Sequence, residues 1–424
     1  MRKVVTVGTT FLKAGMGCQL VFAACQDGNR HHYPIAFGVI DTEKNDSYDW
    51  FFRELKTVIP DSPELVIVSD RNVSLINAVA EVYPEAKHAY CIWHLSQNVK
   101  LQVLRDIEIV AVKFRECARQ YTETEFLDHY TKMALKYPKV TEYLERRVEV
   151  WKWARCYFPG DKYNLETSNI VESLNTVFKD ARRLCLLPMV DKIVAKLCEW
   201  FNKHKNEAAS TPPRRKLVAF VENIFHSRWA EGKRLTVTEL NISQIEYSVI
   251  GSDGMNYTVN LKSKTCSCKW FDIDKYPCVH AFAAHEHYMK RPDREEDIYV
   301  EDLCSTYYLT EQWAFAYNRT IYPIPHKSHC IVPDDIKQLT ALTPEHEKKR
   351  GGGAKQQKNG ERQLKSKKTK TSNKSRPESY GIYSYFTACQ SAGAENATGA
   401  SESTAGALES TAGASESTAG DNVV

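Results

Sequence analysis

The chain has 424 residues, a hydrophobic content of 42% and a formal charge of +4. That is enough apolar material for two or three packed domains, and it excludes a wholly disordered or fibrous chain. The charge is too mild to imply a partner by itself, and no apolar run is long enough to span a bilayer, so no membrane partner is expected. No apolar signal core follows Met1-Arg2-Lys3-Val4-Val5. The 13 cysteines are scattered except for one cluster, which reads as a soluble protein of a reducing compartment with thiols free or metal-bound.

The first ninety residues read as an α/β core. Val4 to Val7, Gln19 to Ala24, Ile35 to Ile40 and Leu65 to Val68 are short apolar runs rich in β-branched residues, punctuated by Gly28-Asn29 and by Asp41 to Asp49. The first three suit an antiparallel meander. Trp50, Phe51, Phe52 and Leu55 have helical spacing, and Ser74 to Val82 reads as a second helix. From Leu95 to Arg147 the pattern is helical throughout, broken at Pro138. Trp151, Trp153, Tyr157 and Phe158 form an aromatic cluster that reads as packing between helices rather than a base-stacking platform. Thr167-Ser168-Asn169 is a candidate N-cap for a helix from Ile170 to Ala181, and a further helix covers Met189 to Lys205. Thr211 to Arg215 reads as a linker.

Cys266-Ser-Cys268 and Cys278-Val-His280 bring three thiols and one imidazole into paired spacing, a donor set suited to tetrahedral Zn²⁺. Tyr257 to Leu261 alternates like a strand before them, and Ala281 to Tyr288 reads as a helix after them. The pattern C-x-C-x9-C-x-H resembles the SWIM-type zinc finger, a family linked to nucleic-acid or protein binding. The aromatic residues that follow (Tyr307, Tyr308, Trp313, Phe315, Tyr317, Tyr322) are expected to pack against this knuckle. Beyond Pro344 the composition turns basic, from Lys348-Lys349-Arg350 to Lys370. It reads as a nuclear-localisation signal, a phosphate-contacting arm or a solvated linker. Gly399 to Gly420 is a low-complexity near-repeat without assigned chemistry.

Asp70 ends a buried apolar run and Glu172 lies on a predicted helix. Two such carboxylates, brought together, are the kind of pair that holds Mg²⁺ for attack on a phosphodiester, although each alone is as readily a cap or a solvated side chain. Thr10-Phe11-Leu12-Lys13, Pro34 to Phe37, Ser69-Asp70-Arg71, His88 to His94 and Asn169 to Asn175 resemble, in that order, the catalytic domain of Mutator-like element (MULE) transposases. The resemblance implies an RNase H-like fold with a helical insertion before the last acid, and a Mg²⁺- or Mn²⁺-dependent Asp-Asp-Glu site that cuts and joins DNA. It makes Asp70 the second acid and Glu172 the third. It makes Cys91 and His94 a C-x-x-H motif, either structural or metal-binding. Gly8 stands where the first acid is expected, and Asp27 and Asp41 are expected at a far strand end or in turns. The family's amino-terminal DNA-binding region has no counterpart before the first strand, and Cys389 is too isolated for the small tail knuckle of many relatives.

The expected class is therefore α/β: an RNase H-like core with helical insertion over residues 1–205, a helical connector over 206–240, a SWIM-type finger region over 241–325 and a disordered tail over 326–424. The expected function is that of a nuclear, transposase-derived protein that binds structural Zn²⁺ through Cys266, Cys268, Cys278 and His280, binds DNA, and is impaired in cleavage at Asp70 and Glu172. The resemblance extends to regulators of the far-red-response type. An active transposase and a zinc-dependent protein-interaction module, with protein partners held through the finger region, are the alternatives.

Overall fold

Apolar alternation in strand β1 (Val4–Phe11) sends Val5 and Val7 to one face of a sheet and Val4, Thr6 and Gly8 to the other. Strands β2 (Gln19–Gln26) and β3 (His32–Ile40) continue as an antiparallel meander. Two four-residue strands, β4 (Val66–Ser69) and β5 (Lys87–Tyr90), add in parallel on the other side of β1, giving the order β3-β2-β1-β4-β5. The computed structural model describes residues 2–14 and 17–325, together with positions 329 and 334. The basic stretch, Cys389 and the near-repeat lie outside the described residues.

Both sheet faces are covered, as the continuous burial of β2 requires. Helices α1 (Asn45–Val58) and α2 (Val73–Val82) close one face through Tyr48, Phe51, Phe52, Leu75 and Val79. The other face is closed by Ile170, Val171 and Leu174 of a later helix, numbered α7 below (Asn169–Val177). Between β5 and α7 the chain makes a helical excursion through α3 (Ile92–Lys100), α4 (Ile107–Ala118), α5 (Glu123–Lys136) and α6 (Pro138–Arg147). Thr122 and Glu125 form a reciprocal capping box that starts α5, and Pro138 opens α6 at its first turn. Trp153 is fully buried between Phe114 and Phe126, so the aromatic cluster is packing, as the sequence suggested.

Helix α8 (Leu186–Ala209) and helix α9 (Ala219–Gly232) lead to a second, antiparallel sheet of β6 (Thr236–Asn241), β7 (Glu246–Ile250), β8 (Asn256–Asn260) and the two-residue β9 (Thr265–Cys266). The short α10 (Trp270–Asp274) and α11 (Val279–Met289) follow, then α12 (Thr310–Ala316). No helix among the described residues is long and apolar enough to cross a membrane.

The late aromatics do not all pack as expected. Tyr308 does meet the finger, through the Tyr276 ring at 5.3 Å. Trp313 and Tyr317 instead reach the first sheet, and Phe315 and Tyr322 are exposed. The reason is Asp27, a buried carboxylate in the β2–β3 turn. Its Oδ2 accepts from Trp313 Nε1 at 2.7 Å, Tyr317 OH at 2.9 Å and His31 Nδ1 at 2.9 Å, and its Oδ1 accepts from the His31 backbone N–H at 2.7 Å. Burial opposes its charge, but these bonds and the His31 charge outweigh that and hold the carboxyl below its ordinary range. Beside it, a Cβ on Gly28 would lie 2.3 Å from the Tyr307 carbonyl oxygen, so the two backbones touch.

Asp27→Ala, which strands two buried donors, is expected to cost about 3 kcal/mol of unfolding free energy by urea titration. Loss of less than about 1 kcal/mol would show that the carboxylate is dispensable.

Candidate metal centre and the acidic strand end

The finger is built on β8, β9 and the start of α11. Cys266 ends the β9 pairing opposite Val259, and its N–H donates to Asp272 Oδ2 at 2.8 Å. Lys269, in the left-handed region at φ 62°, turns the chain away after Cys268. Cys278 is the N-cap of α11, where its Sγ accepts from Ala281 N–H at 3.4 Å, and His280 sits in the first turn. His280 Nδ1 lies 3.7 Å from Cys266 Sγ and 3.9 Å from Cys278 Sγ. Ligand bonds of about 2.3 Å to sulfur and about 2.05 Å to nitrogen in a tetrahedron separate S and N by about 3.6 Å, so Nδ1 and the thiols are spaced for one Zn²⁺. All four ligand atoms fall within 4.8 Å of one another, and all four residues are buried. Hydrogen bonds from Cys266 and Cys278 hold the Cys268 thiol far below its ordinary range. The same crowding pushes Cys266 up to about 12 and adds to the burial that raises Cys278. This donor set fits a structural Zn²⁺, which would take all three sulfurs as thiolates.

The His280 ring is stacked on Tyr257 at 3.9 Å and 16°, and Tyr257 OH donates to Asp253 Oδ2 at 2.6 Å. Gly251 backs this stack: a Cβ there would stand 2.8 Å from Tyr257 Cε2 and 3.1 Å from His280 Nε2. The nine residues between Cys268 and Cys278 are not slack, because α10 docks on the helical excursion. Trp270 stacks on Tyr121 at 4.4 Å, and Tyr121 OH donates to buried Asp274 Oδ1 at 3.1 Å. Asn164 Nδ2 donates to the same oxygen, and Arg228 lies 3.8 Å from Oδ2.

At the first sheet, β1 and β4 run parallel with Thr6 opposite Val68. The pairing ends there, and Asp70 is the residue that follows β4. Asp70 Oδ1 accepts from Asn72 N–H at 3.0 Å, in a turn that leads into α2. Glu172 lies on α7, with Oε1 3.8 Å from His94 Nε2. His94 is held above its ordinary range, first by its hydrogen bond with Cys91 and then by the charges of Cys91, Asp70 and Glu172. Glu172 is thus the expected acid that faces this imidazole, and Asp70 acts on it only through its charge. Cys91 and His94 act on the backbone: Cys91 Sγ accepts from Ser168 N–H at 3.3 Å, and Ser168 Oγ lies 3.3 Å from both Cys91 Sγ and His94 Nδ1. Ser168 does precede α7, but its side chain is turned to this clasp and does not cap the helix.

The place of the first acid is closely packed. A Cβ on Gly8 would lie 3.2 Å from Val171 Cγ1 of α7. Asp27 is in the far turn, as expected, and Asp41 accepts from Thr42 N–H at 2.7 Å and from Ser47 Oγ. Among the described residues no third His, Cys, Asp or Glu completes a three-ligand set with Asp70 and Glu172. Sequence reasoning missed Glu43, which lies beside the same strand end: Thr9 Oγ1 donates to its Oε1 at 2.6 Å and Asn72 Nδ2 to its Oε2 at 2.7 Å. It also missed a groove of about 640 Å³ beyond Asp70 that is lined by Arg71, Lys139, Arg146 and Arg147 with a single acid, Glu142. These basic residues come from segments 70 positions apart, so no run of charge announces them.

Residues 4–98 match the family model of the MULE transposase domain, and residues 257–288 match that of the SWIM zinc finger. The chain carries a MULE transposase domain and a SWIM zinc finger. The MULE match covers the first sheet with α1, α2 and most of α3, and the SWIM match covers Cys266, Cys268, Cys278 and His280. Among curated proteins of Arabidopsis thaliana, the chain is similar to Protein FAR-RED IMPAIRED RESPONSE 1, at 25% identity over 41% of this chain and 22% of that protein. It is also similar to Protein FAR1-RELATED SEQUENCE 4, at 23% identity over 60% of this chain and 39% of that protein. A third, Protein FAR1-RELATED SEQUENCE 5, is 32% identical over 18% of this chain and 10% of its own length. The aligned part of the chain thus spans well under half of each of these relatives.

Cys266→Ser is expected to release zinc, measured by mass spectrometry, and to unfold residues near 257–290. Gly251→Ala changes no ligand, yet it should weaken zinc at least about 10-fold in competition with a chelating dye, because it displaces the ring that seats His280. Unchanged affinity would show that the Tyr257 stack does not orient the ligand.

Proposed function

We propose that this chain is a transposase-derived nuclear protein that binds zinc through its SWIM finger, binds DNA, and has lost metal-dependent strand cleavage. The observation that carries the reading is Gly8. The sheet order, with three antiparallel strands and two parallel ones, supports an RNase H-like core, and the helices between β5 and α7 correspond to the insertion that the family resemblance implies. In such a core a Mg²⁺ or Mn²⁺ ion needs carboxylates from β1, the end of β4 and the helix bearing Glu172. Gly8 offers none, and a side chain there would press on Val171, whose Cγ1 would stand 3.2 Å from its Cβ. Of the two acids that remain, Glu172 already faces His94 at 3.8 Å, an imidazole whose protonation is favoured by its bond with Cys91 and by the nearby carboxylates.

DNA binding is supported by the basic groove. Arg71 follows Asp70 directly, and its guanidinium is fixed by a hydrogen bond to the Arg147 carbonyl at 3.0 Å and lies over the Tyr143 ring at 5.9 Å. A held guanidinium with three further cations suits a phosphate backbone and reads no bases. A second reading, retained cleavage, rests on Glu43, the carboxylate at the same strand end; both its oxygens are already engaged by neutral donors.

With about four phosphate contacts, duplex affinity of the full chain should fall on the order of 100-fold between roughly 50 and 200 mM salt. Arg146→Glu with Arg147→Glu should weaken it further; binding that ignores salt would sink the DNA assignment. With Mg²⁺ or Mn²⁺ the chain should leave duplex DNA intact, and Gly8→Asp combined with Val171→Ala, which opens the space, should restore nicking. Cleavage by the unaltered chain, abolished by Asp70→Ala and by Glu172→Ala, would show that the site is active. Sensitivity to Glu43→Gln would then identify the substitute acid.

A further inference from the structure

The linker between α8 and α9 reads Ser210-Thr211-Pro212-Pro213-Arg214-Arg215-Lys216: a hydroxyl residue followed by proline, with three cations just beyond. All of it is exposed except Thr211, which is half-buried. Thr211 Oγ1 donates to the Glu207 carbonyl at the end of α8 at 3.0 Å, and Ser210 Oγ donates to the same carbonyl at 2.9 Å. Thr211 can therefore give up its bond without leaving that carbonyl unpaired. Its side chain stands in the wall of a cavity of about 370 Å³ shared by the linker, the β2–β3 turn and the start of α12.

That cavity is equipped for an anion. Arg215 lines it, and its Nε lies 2.7 Å from Glu222 Oε2, which leaves the two terminal amino groups for another acceptor. His31 lines it from the turn. The bond from His31 Nδ1 to Asp27 holds the imidazole above its ordinary range, and in the charged form Nε2–H is a second donor. Thr310 lines it from α12, and its hydroxyl is buried without a hydrogen-bond partner. An orphaned buried hydroxyl is uncommon and calls for a missing partner. The only acid among the lining residues is Glu207, and it is turned away to cations and a donor of its own. Its Oε2 lies 2.8 Å from Nδ1 of His204, whose ring stacks on His31 at 4.1 Å, and Lys203 stands 3.8 Å from its Oε1.

We infer that Thr211 is a phosphorylation site for a proline-directed protein kinase, and that Arg215, His31 and Thr310 receive its phosphate in this cavity. The kinase transfers the γ-phosphoryl group of ATP. The bond from that phosphorus to its bridging oxygen breaks, and ADP leaves with the electron pair. A P–O bond forms to Thr211 Oγ1, and the hydroxyl proton passes to the base of the kinase. The product carries nearly two negative charges and three acceptor oxygens, enough to engage all three donors. The dipole of α8 opposes a phosphate at its C-terminal end, but its equivalent charge of about −0.5 is smaller than that of either cation. The dipole of α9, whose first residue Ala219 also lines the cavity, has the opposite sign. The phosphate thus ties the linker to the β2–β3 turn and to α12, and stiffens the joint between the MULE domain and the finger.

The test treats the zinc-loaded full chain with a proline-directed kinase and Mg-ATP, beside a control peptide substrate. Fragment mass spectrometry locates the phosphate, and ³¹P NMR follows it through a pH titration. Phosphate should appear on Thr211 and be lost from that position in Thr211→Ala. It should titrate at least about half a unit below the ordinary second pKa near 6, because the receiving cations favour the dianion. Arg215→Gln, at an exposed position, should bring it back towards the ordinary value. His31→Gln should do the same, with circular dichroism melting to show that each variant folds. No phosphate on Thr211 while the control peptide is modified overturns the site. So does a Thr211 phosphate that titrates at the ordinary value, or one that is indifferent to Arg215→Gln in the folded chain.

Discussion

The buried carboxylate of Asp27 is the constraint on which the described structure turns. It sits in a tight turn of the first sheet, yet two of its four donors come from Trp313 of α12 and from Tyr317 just after it, nearly three hundred residues later. A buried charge survives only when donors surround it, so the turn is stable in this form only with α12 in place. The close approach of Gly28 to the Tyr307 carbonyl gives the same result sterically. The C-terminal aromatics thus belong to the core of the MULE domain as much as to the finger that precedes them. Everything between, the finger included, is a loop closed by this contact.

The finger is held a second time by its own spacer. In a metal knuckle the residues between ligand pairs need only be long enough to return the chain. Here they form α10, whose Trp270 and Asp274 lock onto Tyr121 and Asn164 of the helical excursion. A zinc ion held by these four residues would therefore fix the ends of the segment that docks on the core. The clasp of Cys91, His94 and Ser168 ties two segments together without metal. It ties the start of α7 to the end of β5.

Much of this was legible in the sequence, and the exceptions have physical causes. The strands β1 to β4 and the ligand set Cys266, Cys268, Cys278 and His280 were readable because period-two alternation and paired soft donors are local signals. Strand β5 was not, because Lys87-His88-Ala89-Tyr90 has too few apolar residues; its identity comes from pairing with β4. The strands β6 and β7 were lost in polar, half-exposed sequence for the same reason. Asp27 was placed correctly in a turn, but nothing local reveals that its partners are Trp313 and Tyr317. That long-range contact is also why those two residues were assigned to the knuckle. The basic groove and the pairing of His31 with His204 are assembled from distant segments in the same way.

The central claim is that first sheet, finger and C-terminal aromatics open as one cooperative unit around Asp27. Native-state hydrogen exchange of the zinc-loaded chain tests it most directly. The account predicts that the amides of β1 and β2 and those of α12 exchange through the same global opening, with matching free energies and matching denaturant dependence. Exchange of α12 through a separate opening of much lower free energy, with the sheet still protected, would contradict it.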